Sequence, residues 1–306
     1  MATSITTTYA GEFAGKYISA ALLSADTIEG GGITVKPNVK YKEVMKTLST
    51  NALVKDAACD FADQSTVTLA ERILQPEEFQ VNLEICRKDL HNDWMAVEMG
   101  YSAFDTLPPS FADYVIGHIA AKVAQKTEEN IWQGVTSNAG EFDGFETLLA
   151  ADGTVIDVTG TSVTAANVIT EMGKVVDAIP TAVYGKEDLY IYASSNVARA
   201  YIRALGGFGA SGLGANGVNN EGTTWFNGGD LAFDGVKLFV CSGMADNDMV
   251  AAQKSNLFFG TGLLADHNEV KLIDMADLDG SQNVRVVMRF TSAVQYGIGA
   301  DIVYYS

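Results

Sequence analysis

SFADYVIGHIAAKVAQKTEENIWQG, residues 110–134, carries the longest helical signal in the chain, and the fold turns on how it is read. Pro108 and Pro109 block an earlier start. Ser110 is placed to cap the N-terminus, with Asp113 three residues on in capping-box spacing, and Gly134 stands where a C-terminal glycine stop belongs. About 24 residues make a rod of ~36 Å. Phe111, Val115, Ile119 and Val123 recur at i, i+4 and predict one apolar face, whereas Lys126, Glu128, Glu129 and Asn130 surround the last turns. A helix that begins as core and ends polar on most sides is expected to leave its own core and reach toward solvent or a partner.

Upstream, residues 1–32 are rich in Thr, Ala, Gly and Ser and end in Gly30-Gly31-Gly32, which reads as an arm with room for a short helix around 11–24. Segment 33–80 is polar and mixed, with lysines at 36, 40, 42, 46 and 55, and its STVTLAERIL run is β-prone. Pro76 interrupts before Phe79, Val81, Leu83 and Ile85 alternate as in a half-buried strand. Few core-grade residues lie between these extended runs, so a long protruding hairpin is expected.

Downstream, Val168, Met172, Val175, Val176 and Ile179 mark a helix stopped by Pro180. LYIYA at 189–193 is a strand, and Val197, Tyr201, Ala204 and Leu205 mark a second helix. Short strands follow near 236–241 and 249–253. The C-terminus reads as three antiparallel strands, EVKLIDM, NVRVVMRF and VQYGIGADIVYY, with Asp279-Gly280 as a tight turn. In the last, Val294, Tyr296, Ile298, Ala300, Ile302 and Tyr304 share one face. Such strands need cover on their apolar side, and the long helix is the candidate.

The 306 residues suffice for one large or two ordinary domains. A formal charge of −18 argues against a surface built to grip phosphate backbones, which relies on Lys and Arg. Cys59, Cys86 and Cys241 are scattered and form no CxxC pair, as are His91, His118 and His267; a reducing compartment without disulfides is expected. The N-terminus lacks the basic and apolar regions of a signal peptide, and no apolar run approaches the ~20 residues needed to span a bilayer. The expectation is a soluble protein made and used in a cytosol.

Motifs for chemistry fail one by one. GFGASGLGANG, residues 207–217, fits G-x-G-x-x-G twice, but a helix precedes it and turn-like VNNEGTTWFNGGD follows, whereas a dinucleotide site needs a strand before and a helix after. A flexible loop is the better reading. There is no G-x-x-x-x-G-K-[ST], H-E-x-x-H or G-x-S-x-G. Asp266, His267 and Glu269 read as a polar turn rather than metal ligands, and Asp246-Asn247-Asp248 lacks the glycine and distant glutamate of a calcium loop. His118 reads as a packed or surface residue on the long helix. No catalytic, cofactor or metal site is assigned, and the chain is not expected to be an enzyme.

Taken together, the order of parts resembles a tailed-bacteriophage major capsid protein of the Hong Kong 97-type fold. VTLAERILQPEEFQVNLEICRKDLHNDWMAVEMG looks like the returning hairpin strand and short helix leading into that family's P-domain, and residues 110–134 like its spine helix. DLYIYASSNVARAYIRAL resembles the A-domain strand and helix. FDGVKLFVCSGMADNDMVAAQKSNLFFGTGLLADHNEVKLIDM with NVRVVMRFTSAVQYGIGADIVYY resembles the return to the P-domain sheet.

The resemblance implies an α+β fold: an N-terminal arm at 1–32, an extended E-loop at 33–80, a P-domain at 81–143 and 265–306, and an inserted A-domain at 144–264. It implies self-assembly into pentamers and hexamers, in an icosahedral virion shell built in the bacterial host cytoplasm. The shell would enclose double-stranded DNA without sequence-specific binding. Portal and cement or decoration proteins are implied partners, and a membrane is not. The initial Met favours a separate scaffolding protein over a cleaved leader. Lys40, Lys42, Lys46 and Lys55 fall in the E-loop and read as surface lysines rather than cross-linking ones. The alternatives are an encapsulin-like compartment of the same fold and a metal- or nucleotide-dependent enzyme centred on 246–269. The long helix speaks against a third, a tail or decoration protein.

Overall fold

The computed structural model describes residues 26–50, 54, 56, 57, 59, 66–86, 109–205, 231–262 and 271–306. The short helix expected within 11–24, the glycine-rich 207–217 stretch, His91, Lys55 and the Asp266–Glu269 turn lie outside them. A short turn of helix α1 (Asp26–Glu29) and strand β1 (Thr34–Lys36) lead into a ribbon of β2 (Glu43–Thr50) and β3 (Val67–Leu74), then β4 (Glu77–Cys86). The long helix is α2 (Pro109–Gln133), followed by α3 (Phe145–Ala151), β5 (Ile156–Val158), α4 (Val168–Asp177), β6 (Leu189–Ser194) and α5 (Ser195–Leu205). Strands β7 (Ala232–Phe233), β8 (Val236–Cys241), β9 (Met249–Gln253), β10 (Leu257–Gly260) and β11 (Lys271–Asp274) come next. The chain closes with α6 (Ala276–Asp279), β12 (Asn283–Tyr296) and β13 (Val303–Tyr305).

Helix α2 forms where its periodicity requires, but it begins at Pro109 rather than after it. Proline suits a first helical position, because the N–H it lacks would have no intrahelical partner there. In the first half, Val115 and Ile119 are buried, and with Val123 they pack on Val286, Val81, Leu83, Ile85 and Leu272. The helix therefore covers the apolar face of β4, β12 and β11, as expected.

The second half does not leave the core. Thr127, Glu128 and Asn130 are buried, and Ile131 and Trp132 are fully so. An i, i+4 ladder advances by about 40° around the helix at each step, so Val115, Ile119, Val123, Thr127 and Ile131 turn the buried stripe from one neighbour to another. Ile131 and Trp132 enter a second core with Phe142, Phe145, Tyr192, Leu257, Phe259, Val294 and Tyr296. Two of the polar residues find partners elsewhere in the chain, Glu128 at Thr27 and Asn130, through Nδ2, at the Gly140 carbonyl. Gly134 ends the helix without a left-handed φ. A Cβ there would lie 2.2 Å from the Phe142 carbonyl oxygen, so close backbone approach is what requires glycine.

Two sheets organise the rest. One runs β1-β10-β12-β11 with β4 also paired to β12; the other runs β5-β13-β9-β6-β8-β7. In the second, side chains alternate between two cores. Leu189, Ile191, Ala193, Met249, Ala251, Val303 and Tyr305 face α4 and α5. Tyr192, Val250, Ala252, Ile302 and Tyr304 face the core that receives Trp132. The helices at 168–177 and 195–205 and the strand at 189–194 match their sequence signals.

The C-terminal strands are cut differently from expectation. NVRVVMRF and the start of VQYGIGADIVYY form one strand, β12, of 14 residues. It pairs with β4 through Ser292 and with β10 from Ala293 onward. The backbone then leaves the sheet at Gly297, passes a 3-10 turn at Gly299–Asp301, and enters the other sheet as β13. Ile298 and Ala300 therefore do not share a strand face with Tyr304.

Trp132 stacks obliquely on Phe145 and Tyr192, with centroids 5.4 and 5.5 Å apart. Trp132→Ala should cost about 3–5 kcal/mol, read as a lowered urea midpoint with an unchanged slope.

Candidate functional site

Two places concentrate unusual physical chemistry: the β2–β3 ribbon and the buried polar network beside α2. In the ribbon, Val44 pairs with Ile73, Lys46 with Glu71, Leu48 with Leu69, and Thr50 with Val67. Period-two alternation puts these eight on one face. Leu48 is 64 % exposed and Leu69 70 %, and Val44, Val67 and Ile73 are exposed as well. A two-stranded ribbon is marginal alone, and this one turns its apolar face outward. The opposite face carries Met45, Thr47, Ala70 and Arg72.

The ribbon's root is anchored. Met45 and Leu74 are buried with Ala293 and against Phe258. Gly260 leaves room for Leu74, whose side chain a Cβ would meet at 2.7 Å. Arg72 donates through Nε to the Gly297 carbonyl at 3.0 Å, ion-pairs with Asp152, and lies 4.2 Å from the Tyr296 ring centroid. Asp152 also accepts from the Tyr296 hydroxyl at 2.7 Å and from Thr154. The Tyr296 bond and these other donors hold its carboxyl well below the usual range, and burial pushes the Tyr296 phenol up to about 12.

The buried network starts at Glu128. Its carboxylate accepts from the Thr27 amide at 3.1 Å and from the Thr27 hydroxyl, while Trp132 Nε1 donates to that hydroxyl at 2.9 Å. Nearby, Glu146 accepts from the Ala245 amide at 2.9 Å, and Gln133 donates to the Gly243 carbonyl. Tyr192 donates to the Gly32 carbonyl and Ser242 to Asp26. Residues 26–32 and the 242–245 turn are thereby fastened to α2 and α3. Burial raises both Glu128 and Glu146 to about 7, offset in part by these hydrogen bonds.

Among the described residues, no group of three or more His, Cys, Asp or Glu is arranged to hold a metal ion. Asn247 Oδ1 accepts from Val163 N and Asn196 Nδ2, and Asp248 from the Tyr304 hydroxyl, so this triplet shapes a turn. His118 is half-buried on α2. Cys59 is exposed, Cys86 half-buried and Cys241 buried. Lys40 and Lys42 are exposed, and Lys46 lies opposite Glu71. No described helix is long and apolar enough to cross a membrane. Arg72, Thr27 and Glu146 escaped the sequence reading, and Glu128 read there as a solvent-facing residue. The i, i+4 continuation through Thr127 and Ile131 was the one available sign that the end of α2 is buried.

The α+β fold is shared with chains from phage and GTA-particle capsids. The capsid of a native GTA particle has a subunit with 12 % identity and a TM-score of 0.63, matched over 95 % of this chain and 93 % of that one. The Mycobacterium phage Adephagia chain has 14 % identity and a TM-score of 0.60 over 99 % and 94 %. The capsid of Myoviridae phage XM1 has 10 % identity and a TM-score of 0.60 over 96 % of each chain. No family model matches the sequence, and no curated protein does.

The raised pKa values of Glu128 and Glu146 have a measurable sign. The folded protein holds these protons more tightly than the unfolded chain. Each carboxyl therefore contributes stability that is full below its ordinary value of 4.5 and is lost as the pH rises to about 7. The loss should be on the order of 3 kcal/mol per group. The lowered carboxyls, Glu141, Asp152, Glu171 and Asp188, act in the opposite sense and at more acid pH. Urea unfolding between pH 5 and 8 should therefore show falling stability, and Glu128→Gln should flatten the slope.

Proposed function

We propose that this chain is the major capsid protein of a tailed-phage-type particle, a structural subunit and not an enzyme. It self-assembles into pentamers and hexamers that close an icosahedral shell around packaged double-stranded DNA. The observation that carries this reading is a fold match covering nearly all of this chain and nearly all of each capsid subunit it resembles. A small enzyme built on part of that fold would not match end to end.

The ribbon supports the same reading. Five exposed large aliphatic side chains on one face have no use in an isolated subunit and expose it to aggregation. Laid over a neighbouring copy, as an E-loop, they become buried. Repetition of such contacts around a closed shell makes many modest interfaces collectively strong. In this reading residues 1–32 form the arm, 33–80 carry the E-loop, α2 is the spine of a P-domain at 81–143 and 265–306, and 144–264 form the A-domain. The net charge of −18 suits a container whose duplex must slide rather than adhere. A separate scaffolding protein, a portal and cement proteins are the proposed partners.

Negative-stain microscopy beside a sizing column tests this directly. Shells, sheets, tubes or rings of five and six support it. A monomer or dimer at all salt conditions, with scaffold supplied, overturns it. DNA-filled shells distinguish a phage head from a cargo compartment. Leu48→Asp with Leu69→Asp should abolish assembly while leaving the thermal midpoint of the subunit within about 2 °C, because neither side chain belongs to a folded-state core.

A further inference from the structure

Row by row, the β2–β3 ribbon loses contact with the body at one place. Leu74 and Met45 reach the buried cluster with Ala293 and Phe258. Met45 stands directly opposite Arg72 in the register, and the rows beyond are Lys46 with Glu71, Thr47 with Ala70, Leu48 with Leu69, Ser49 with Thr68, and Thr50 with Val67. All of these residues except Thr47 are exposed. The Met45–Arg72 row is therefore a fulcrum, and the strands beyond it are a cantilever.

Two kinds of contact hold the fulcrum. The apolar one, Met45 with Leu74, is non-directional and tolerates tilt. The polar one is directional. The guanidinium of Arg72 forks between the Gly297 carbonyl, where the backbone has just left β12, and Asp152, at the C-terminal end of α3. Its central carbon lies over the Tyr296 ring, 4.2 Å from the centroid, and the hydroxyl of that tyrosine donates to the same Asp152. Two separate elements, the C-terminal end of α3 and the Tyr296-Gly297 end of β12, thus hold one planar group through three contacts. Such a fork carries angular information that a lone surface ion pair does not. Neither the Lys36–Glu43 ion pair nor the Gln295 bond to the Ile73 carbonyl has this planar arrangement.

We propose that Arg72 is the positioning residue that sets the angle at which the ribbon projects from the body, and so the geometry in which its apolar face meets a second copy of this chain. The part concerning a second copy rests on the capsid reading; the part concerning the angle does not. The isolated subunit should hold its ribbon at one elevation, before any neighbour is present.

The experiment measures that elevation in the unassembled full chain. Spin labels go on Ser49→Cys in the ribbon and Asp177→Cys on α4, in a Cys59→Ser, Cys86→Ser background, and the pulsed-dipolar distance distribution is recorded. The parent should give a single narrow peak. Arg72→Met keeps an apolar side chain against Tyr296 but removes the fork, and should lose that peak for a broad distribution without loss of the folded baseline by circular dichroism. Arg72→Lys keeps the charge without the planar fork and should give an intermediate width. Asp152→Asn attacks the clamp from the body side and should broaden the peak independently of any change in β3. An unchanged distribution in both Arg72→Met and Asp152→Asn overturns the proposal, whatever the protein assembles into. If the parent forms no particles at all, the capsid reading fails while the distance result still judges the clamp. If Arg72→Met broadens the distribution but forms particles as uniform as the parent's, the link between angle and assembly is wrong. Mixed sizes or open sheets support it.

Discussion

The burial of one carboxylate, that of Glu128, is the constraint on which the junction of this molecule depends. A buried carboxylate is tolerable only when donors are brought to it. Here Thr27 supplies two, from more than 100 positions away in sequence, and Trp132 completes the chain of bonds. Satisfying Glu128 thus fixes where the N-terminal segment enters the body. Gly30 and Gly32 then lie against the Phe239 ring, and β1 adds in parallel to β10. Residues 26–32 are positioned by a hydrogen-bond requirement of the long helix rather than by a core of their own.

The long helix consequently has two roles along its length. Its first half is a conventional amphipathic cover for an antiparallel sheet. Its second half is a buried post around which α3, the 242–245 turn and residues 26–32 are gathered. The precession of an i, i+4 ladder converts one into the other. Where the post ends, Gly134 and Gly144 let two backbones meet: the Gly144 amide donates to the Gly134 carbonyl at 2.9 Å.

Much of this was legible in the sequence where the signal is local and periodic. The Val115–Ile119–Val123 face, the Phe79–Ile85 alternation and the LYIYA strand each declare themselves within a few residues. Lys126 is exposed as its charge suggests, but Glu128 and Asn130 look equally solvent-facing until Thr27 and the Gly140 carbonyl, which accepts from Asn130, are brought to them. The unity of β12 was hidden because Thr291-Ser292 interrupts an apolar run, yet Ser292 is fully buried where the strand changes partners. Arg72 gave no local sign, since its importance lies in Asp152 and Tyr296, which are distant in sequence. The ribbon was visible as a hairpin poor in core residues, but which of its faces would be outward depended on register.

The central strands of the six-stranded sheet, β13, β9 and β6, have no solvent face: Ile191 and Tyr192, neighbours in one strand, belong to different cores. They form a partition wall, and close packing on both sides leaves nowhere for a volume change to relax. A larger side chain under α4 and α5 presses the wall toward Trp132, and a smaller one lets it sag away. Drift in such a protein is therefore coupled through the wall, with accepted changes on one side favouring compensating changes of opposite size on the other. Two chains can differ widely in sequence in this way while the wall itself stays in place, and this protein shares its fold with chains to which it is only 12 and 14 % identical.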